Sequence, residues 1–177
     1  MTKKQLTLAR IVAALIVVGL SIFIYSIRDR AEQLAIYGYP GIFLLAFMSY
    51  ATVLLPAPGL WVIFTMGAVF NPLAVALVAA TGATLGELSG YLAGFSGQAV
   101  IERTNIYERL TLWMRRNGPL TIFLLSVLPN PFFDVAGVVA GALKMRLPVF
   151  FFWCWLGETG KMLLFAYAGS GILNRFL

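Results

Sequence analysis

The sequence predicts an all-α integral membrane protein. Its plan is an inverted repeat of a re-entrant helical hairpin followed by a transmembrane helix, with an extra N-terminal transmembrane helix in front. Three observations carry that expectation. The chain of 177 residues is 60% hydrophobic and only 11% charged, where a soluble domain carries roughly 25% charged residues. Two apolar blocks each hold a Leu-Pro-x-Pro motif, followed in the same order by the same later motifs. Finally, the apolar stretches flanking those prolines are about half as long as a bilayer crossing requires.

Residues 1–33 form the first unit. Lys3, Lys4 and Arg10 precede an apolar run from Ile11 to Ile27, and Arg28, Asp29, Arg30 and Glu32 close it. No small-x-small cleavage pattern follows directly, so an uncleaved anchor helix is expected rather than a removed signal peptide. Residues 34–177 are the membrane domain, divided into repeat one (34–101), an amphipathic linker (102–118) and repeat two (119–172).

Repeat one contains LPAPG (55–59), LGE (85–87) and AGFSG (93–97). Repeat two contains LPNPF (128–132), LGE (156–158) and AGSG (168–171). Three features in one order at an offset of about 73 argue for an internal duplication. Proline removes a backbone donor and pushes the preceding residue out of helical conformation, so neither motif continues a helix. From Pro119 to Leu128, and again from Val135 to Leu143, there is chain for only about 15 Å of helix each way, against a crossing of about 30 Å. Broken backbone inside lipid requires cover from protein or water. Pro56, Pro58, Pro129 and Pro131 are therefore expected at buried hairpin tips, with Asn130 beside them. A hairpin that returns plus a helix that crosses inverts the second copy relative to the first, an arrangement known in secondary transporters. In the linker, Leu110, Trp113 and Met114 fall at helical spacing among Glu108, Arg109, Arg115 and Arg116. That reads as a helix lying on the headgroups, or as a plain solvated connector. Gly82, Gly86, Gly90, Gly94 and Gly97 form a small-residue stripe suited to close helix packing.

Histidine is absent and there is one cysteine, Cys154. That excludes histidine metal sites, Ser-His and Cys-His nucleophile pairs and internal disulfides. The Gly-x-Ser-Gly in each repeat thus lacks a base, and no phosphate-binding loop or metal cluster is present. No enzyme activity, cofactor or metal is expected. The net charge of +6 suits contact with anionic lipid rather than nucleic acid.

Ionisable residues inside apolar segments are costly, on the order of 3 kcal/mol at a helix centre, and mark functional positions by default. Here these are Glu87, Asp134, Glu158 and Lys161. Glu158 and Lys161, three apart, share a helical face and can pair. Asp134 either caps the return helix of the second hairpin or lines a polar groove. With Asn130, these residues are the candidates for a hydrated lipid-headgroup groove or for ion coupling.

PNPFFDVAG (129–137), GETGK (157–161) and LGELSGYLAGFSG (85–97) resemble the DedA, or SNARE-associated VTT-domain, membrane proteins over most of residues 38–172. The second-hairpin motif looks closer to the eukaryotic vacuole-membrane-protein scramblase branch than to bacterial DedA proteins. The resemblance implies two facing re-entrant hairpins and lipid translocation: undecaprenyl-phosphate recycling in bacteria, phospholipid scrambling in the eukaryotic branch. Leu60 stands where the bacterial proteins usually carry an acid, and Ser126 and Phe132 stand where they carry arginines flanking the second tip. Those departures point to uncoupled lipid movement. Membrane phospholipids are then the expected partners, with a homo-oligomer left open. The expected location is a membrane, taken as a prokaryotic plasma membrane with the N-terminus cytoplasmic. Two other functions stay open from sequence: a proton- or sodium-coupled transporter of a lipid-linked phosphate or small anion, and a non-transporting membrane scaffold.

Overall fold

A computed structural model describes residues 37–51, 59–97, 105–130 and 132–176, the last four of these as backbone alone. The predicted anchor helix in 1–33 lies outside the described residues, as do Pro56, Pro58 and Pro131. The described residues form six helices and no strand: α1 (Tyr39–Ala51), α2 (Gly59–Val69), α3 (Pro72–Ser96), α4 (Asn105–Val127), α5 (Phe132–Ala142) and α6 (Leu147–Phe176).

Two of them, α3 and the stretch Leu147–Ile172 of α6, are long and apolar enough to cross a membrane. By contrast α1, α2 and α5 have 13, 11 and 11 residues, each short of the roughly 20 that a crossing takes. Large apolar side chains stand on the outside of the molecule, among them Trp61 at 73%, Leu112 at 66% and Leu164 at 66% exposure. An apolar exterior of that extent suits lipid as solvent.

Local chemistry sets the helix ends. Asn71 caps α3 by accepting from the Ala74 amide at 3.1 Å, and Pro72 occupies the first turn, where its missing donor costs nothing. Within α4 the backbone leaves helical geometry at Asn117 (φ −153°, ψ 79°), two residues before Pro119. The Asn117 side chain accepts from Leu120 N at 3.4 Å, capping a second helical piece over 118–127. The linker helix and the first leg of the second hairpin are thus one element broken at Asn117. In the linker part, Leu110 and Met114 are buried against protein whereas Trp113 is 59% exposed, so the apolar stripe packs mainly inward. Helix α5 ends in a Schellman turn. Met145 N bonds Ala140 O and Lys144 N bonds Gly141 O, both at 3.0 Å, with Lys144 in the left-handed region at φ 55°.

The packing has a two-fold pattern that parallels the sequence repeat. Helix α1 lies on α3 and the 118–127 piece of α4 lies on α6, so each first leg rests on its own repeat's long helix. The second legs exchange: α2 packs on α6 and α5 packs on α3. Glycines make these contacts backbone to backbone. A Cβ at Gly94 would collide with Val138 O of α5, and one at Gly169 with Phe64 O of α2. Reciprocally, a Cβ at Gly141 would strike Tyr91 O and one at Gly67 would strike Ala166 O. Each pair maps onto the other at the offset of the sequence repeat. The α3 stripe serves both hairpins, with Gly82 and Gly86 against α1 and Gly90 and Gly94 against α5. Two hydrophobic cores result. One gathers Ile42, Ile63, Ala79, Met162 and Ala166, and the other Tyr91, Ile122, Phe133, Phe150 and Cys154. Early α3 and late α6 meet in the first core, and late α3 and early α6 meet in the second. The two long helices therefore run antiparallel.

Candidate functional site

Between those two cores the long helices turn polar side chains toward each other. Thr84 and Glu87 of α3 and Glu158 and Lys161 of α6 are 0–4% exposed, all near the middle of helices long enough to span. Lys161 Nζ donates to Glu158 Oε1 at 2.7 Å, the i,i+3 pairing that their spacing predicts. The same ammonium sits 4.9 Å from the centre of the Tyr50 ring at the end of α1, within cation–π range. Glu158 Oε2 and the Thr159 hydroxyl are buried and have no hydrogen-bond partner among the described residues.

Glu87, the repeat counterpart of Glu158, hydrogen-bonds no described residue. It faces α5, where its Oε2 lies 3.9 Å from the point a Cβ on Gly137 would occupy. Asp134, half-buried in the first turn of α5, completes the group. Glu87, Asp134, Glu158 and Lys161 all lie within coulombic reach of one another. Three carboxyl groups thus share one ammonium in an apolar interior, where an uncompensated charge is expensive.

The tip of the second hairpin corrects the sequence reading of Asp134. Asn130, not Asp134, caps α5: its Oδ1 accepts from Phe132 N at 2.9 Å. Its Nδ2 donates to Leu125 O and Leu128 O, both at 2.8 Å, and so closes the end of α4 with the same side chain. An amide does this because it accepts and donates at once, while a carboxylate only accepts. Asp134, two residues further on, makes no hydrogen bond with a described residue and points its charge toward the cluster instead. Pro129, expected at a buried tip, is instead exposed there: the turn breaks the helix as the prolines require, but no described element covers it.

The predicted hydrated groove also differs. Glu87, Glu158 and Lys161 are enclosed by the legs of both hairpins rather than lining an open channel. Sequence reasoning missed Tyr50, whose only signal is a phenol at the end of an apolar leg. It also missed the Thr84 hydroxyl 4.0 Å from Cys154 Sγ and the Trp155 indole donating to Thr81 at 3.2 Å, which tie α3 to α6 beside the cluster. Ser89 donates to Ala51 O at 2.9 Å and so satisfies the last carbonyl of α1 next to the first tip. No group of metal-ligating side chains is present among the described residues.

The VTT domain family matches residues 57–171, which takes in all of α2 to α5 and the polar core of α6. No curated protein and no solved structure matches the chain.

Proposed function

The chain belongs to the VTT-domain family of membrane proteins, and from that premise we propose that it moves phospholipid between bilayer leaflets without an energy source of its own. One observation carries the reading. The only buried charges among the described residues gather halfway along two membrane-length helices, at the seam where both hairpins close. In this reading each hairpin enters the bilayer from one face and returns, and the antiparallel α3 and α6 cross between them. Parting of the second legs from the long helices exposes Glu87, Asp134, Glu158 and Lys161 to a headgroup while the acyl chains stay in lipid. The conformation described here is the closed one. The PNPFFDVAG motif, with Leu60, Ser126 and Phe132 in place of the bacterial charges, supports the scramblase branch and passive movement.

The test is reconstitution of the full chain in vesicles carrying labelled phospholipid, read with an impermeant quencher. Passive translocation lets the quencher reach the label of both leaflets. Inner-leaflet label protected as fully as in protein-free vesicles, across several lipid compositions, defeats the proposal.

A second reading has its own observation. Three enclosed carboxyl groups against one ammonium suit a site that binds a proton or sodium ion during coupled transport of a lipid-linked phosphate or small anion. It predicts dependence on a pH or sodium gradient, lost in Glu158→Gln or Glu87→Gln. Indifference to both gradients leaves the passive reading standing.

A further inference from the structure

We propose that the groove between the linker helix and the α5–α6 turn is a binding site for the headgroup of an acidic phospholipid in the surrounding leaflet. The groove has a volume of about 510 Å³ and opens at one end of the molecule, within the ~300–1,000 Å³ range of small-molecule sites. Arg115, in α4, and Arg146, just ahead of α6, both line it. Both are exposed, and neither has a carboxylate partner among the described residues, where the single ion pair is Lys161–Glu158.

The backbone reinforces their charge. The 118–127 piece of α4 starts at the groove, with Gly118 and Pro119 in its wall. Helix α6 starts there too: Arg146 is its capping residue, and its carbonyl accepts from Val149 N and Phe150 N, both at 3.0 Å. The positive ends of two helix dipoles and two arginines thus border one cavity, an arrangement that favours an anionic group. The left-handed Lys144 turn fixes Arg146, and the Tyr91 hydroxyl holds Met145 O at 2.5 Å.

The rest of the wall is apolar, from Met114, Leu143 and Val149. A hydrophobic floor beneath a cationic rim fits a phosphate joined to acyl chains better than a free anion. The surroundings agree. Leu112 and Trp113 are 66% and 59% exposed next to the exposed Arg109, Arg115 and Arg116, which sets this end at headgroup depth. The site lies away from the buried cluster and stands whether or not the chain translocates lipid.

Native mass spectrometry of the full chain in detergent tests the assignment, with phosphatidylglycerol, phosphatidylcholine and inorganic phosphate as separate probes. Phosphatidylglycerol is expected to stay bound where phosphatidylcholine dissociates. Arg115→Ala and Arg146→Ala should each weaken it by about tenfold, the worth of one charge-assisted contact. Arg109→Ala, on the same helix but outside the groove, should leave it unchanged. Gly118→Leu keeps every charge but places an isobutyl group in the groove wall, from a Cβ 3.6 Å from Met145 Cε, and so narrows the cavity; it should weaken retention. If Arg109→Ala matches the groove variants, the attraction is a diffuse surface effect and the site is refuted. Inorganic phosphate displacing the lipid at equal concentration overturns the lipid assignment in favour of a free anion. Should the arginine variants fail to fold, Gly118→Leu decides alone, and undiminished phosphatidylglycerol binding in it overturns the proposal.

Discussion

Helices α3 and α6 carry the same Leu-Gly-Glu motif, yet they treat its glutamate differently. At the offset that aligns Glu87 with Glu158, Lys161 aligns with Gly90. In α6 this position supplies the ammonium that pairs with Glu158. In α3 it supplies bare backbone, and a Cβ there would lie 3.7 Å from Asp134 O of α5. One copy spent the position on charge, the other on close approach. The difference teaches that the two halves are equivalent in packing and unequal in electrostatics. Glu158 is anchored, while Glu87 is enclosed without a fixed partner.

Lys161→Met breaks the comparison most severely. It leaves two buried carboxyl groups and the half-buried Asp134 with no cation, and loss of one partner from a buried pair costs about 3–5 kcal/mol. The melting temperature in detergent should fall by the largest step of any variant named here, and a drop no greater than that of Glu87→Gln contradicts the asymmetry. Gly94→Ala and Gly169→Ala probe the half of the comparison that is symmetric. Each forces a methyl group into a carbonyl of the other repeat's second leg, at about 1–3 kcal/mol. Their costs should agree, and Gly171→Ala, with open space around it, should be neutral in the same thermal assay. Asn130→Ala removes the amide that caps one helix and closes another, worth about 1–2 kcal/mol. Proteolysis at the second tip should quicken accordingly, and Asn130→Asp should restore the α5 cap but not the bonds to Leu125 and Leu128. Among the side-chain replacements at the polar positions, Glu87→Gln should change stability least, by under about 1 kcal/mol, since no hydrogen bond or ion pair with a described residue is lost.

Much of this was legible in the sequence because it depends on local rules. Leu-Pro-x-Pro breaks a helix wherever it stands, and residues three apart on a helix share a face, so the tip at Pro129 and the Glu158–Lys161 pair could be read directly. The sequence repeat was legible as well, and the reciprocal glycine contacts of α2 and α5 run parallel to it. What could not be read depends on distance in three dimensions. Whether Asn130 or Asp134 caps α5 is decided by how far Phe132 N lies from each. Enclosure of Glu87 and Lys161 depends on the legs of two hairpins closing over them. The junction near Asn117 was placed by Asn117-Gly118-Pro119, but that the linker helix stays packed on the protein core beyond it depends on tertiary contacts of Leu110 and Met114.

The contacts through Gly94 and Gly141 have a mechanical consequence. Interlocked side chains act like gear teeth and must change rotamer before one helix slips along another. Where α5 meets α3, carbonyls ride against bare glycine, as a shaft rides in a plain bearing. Displacement along the axis meets smooth van der Waals contact, the geometry of shear motions, so this joint is the natural place for the molecule to give.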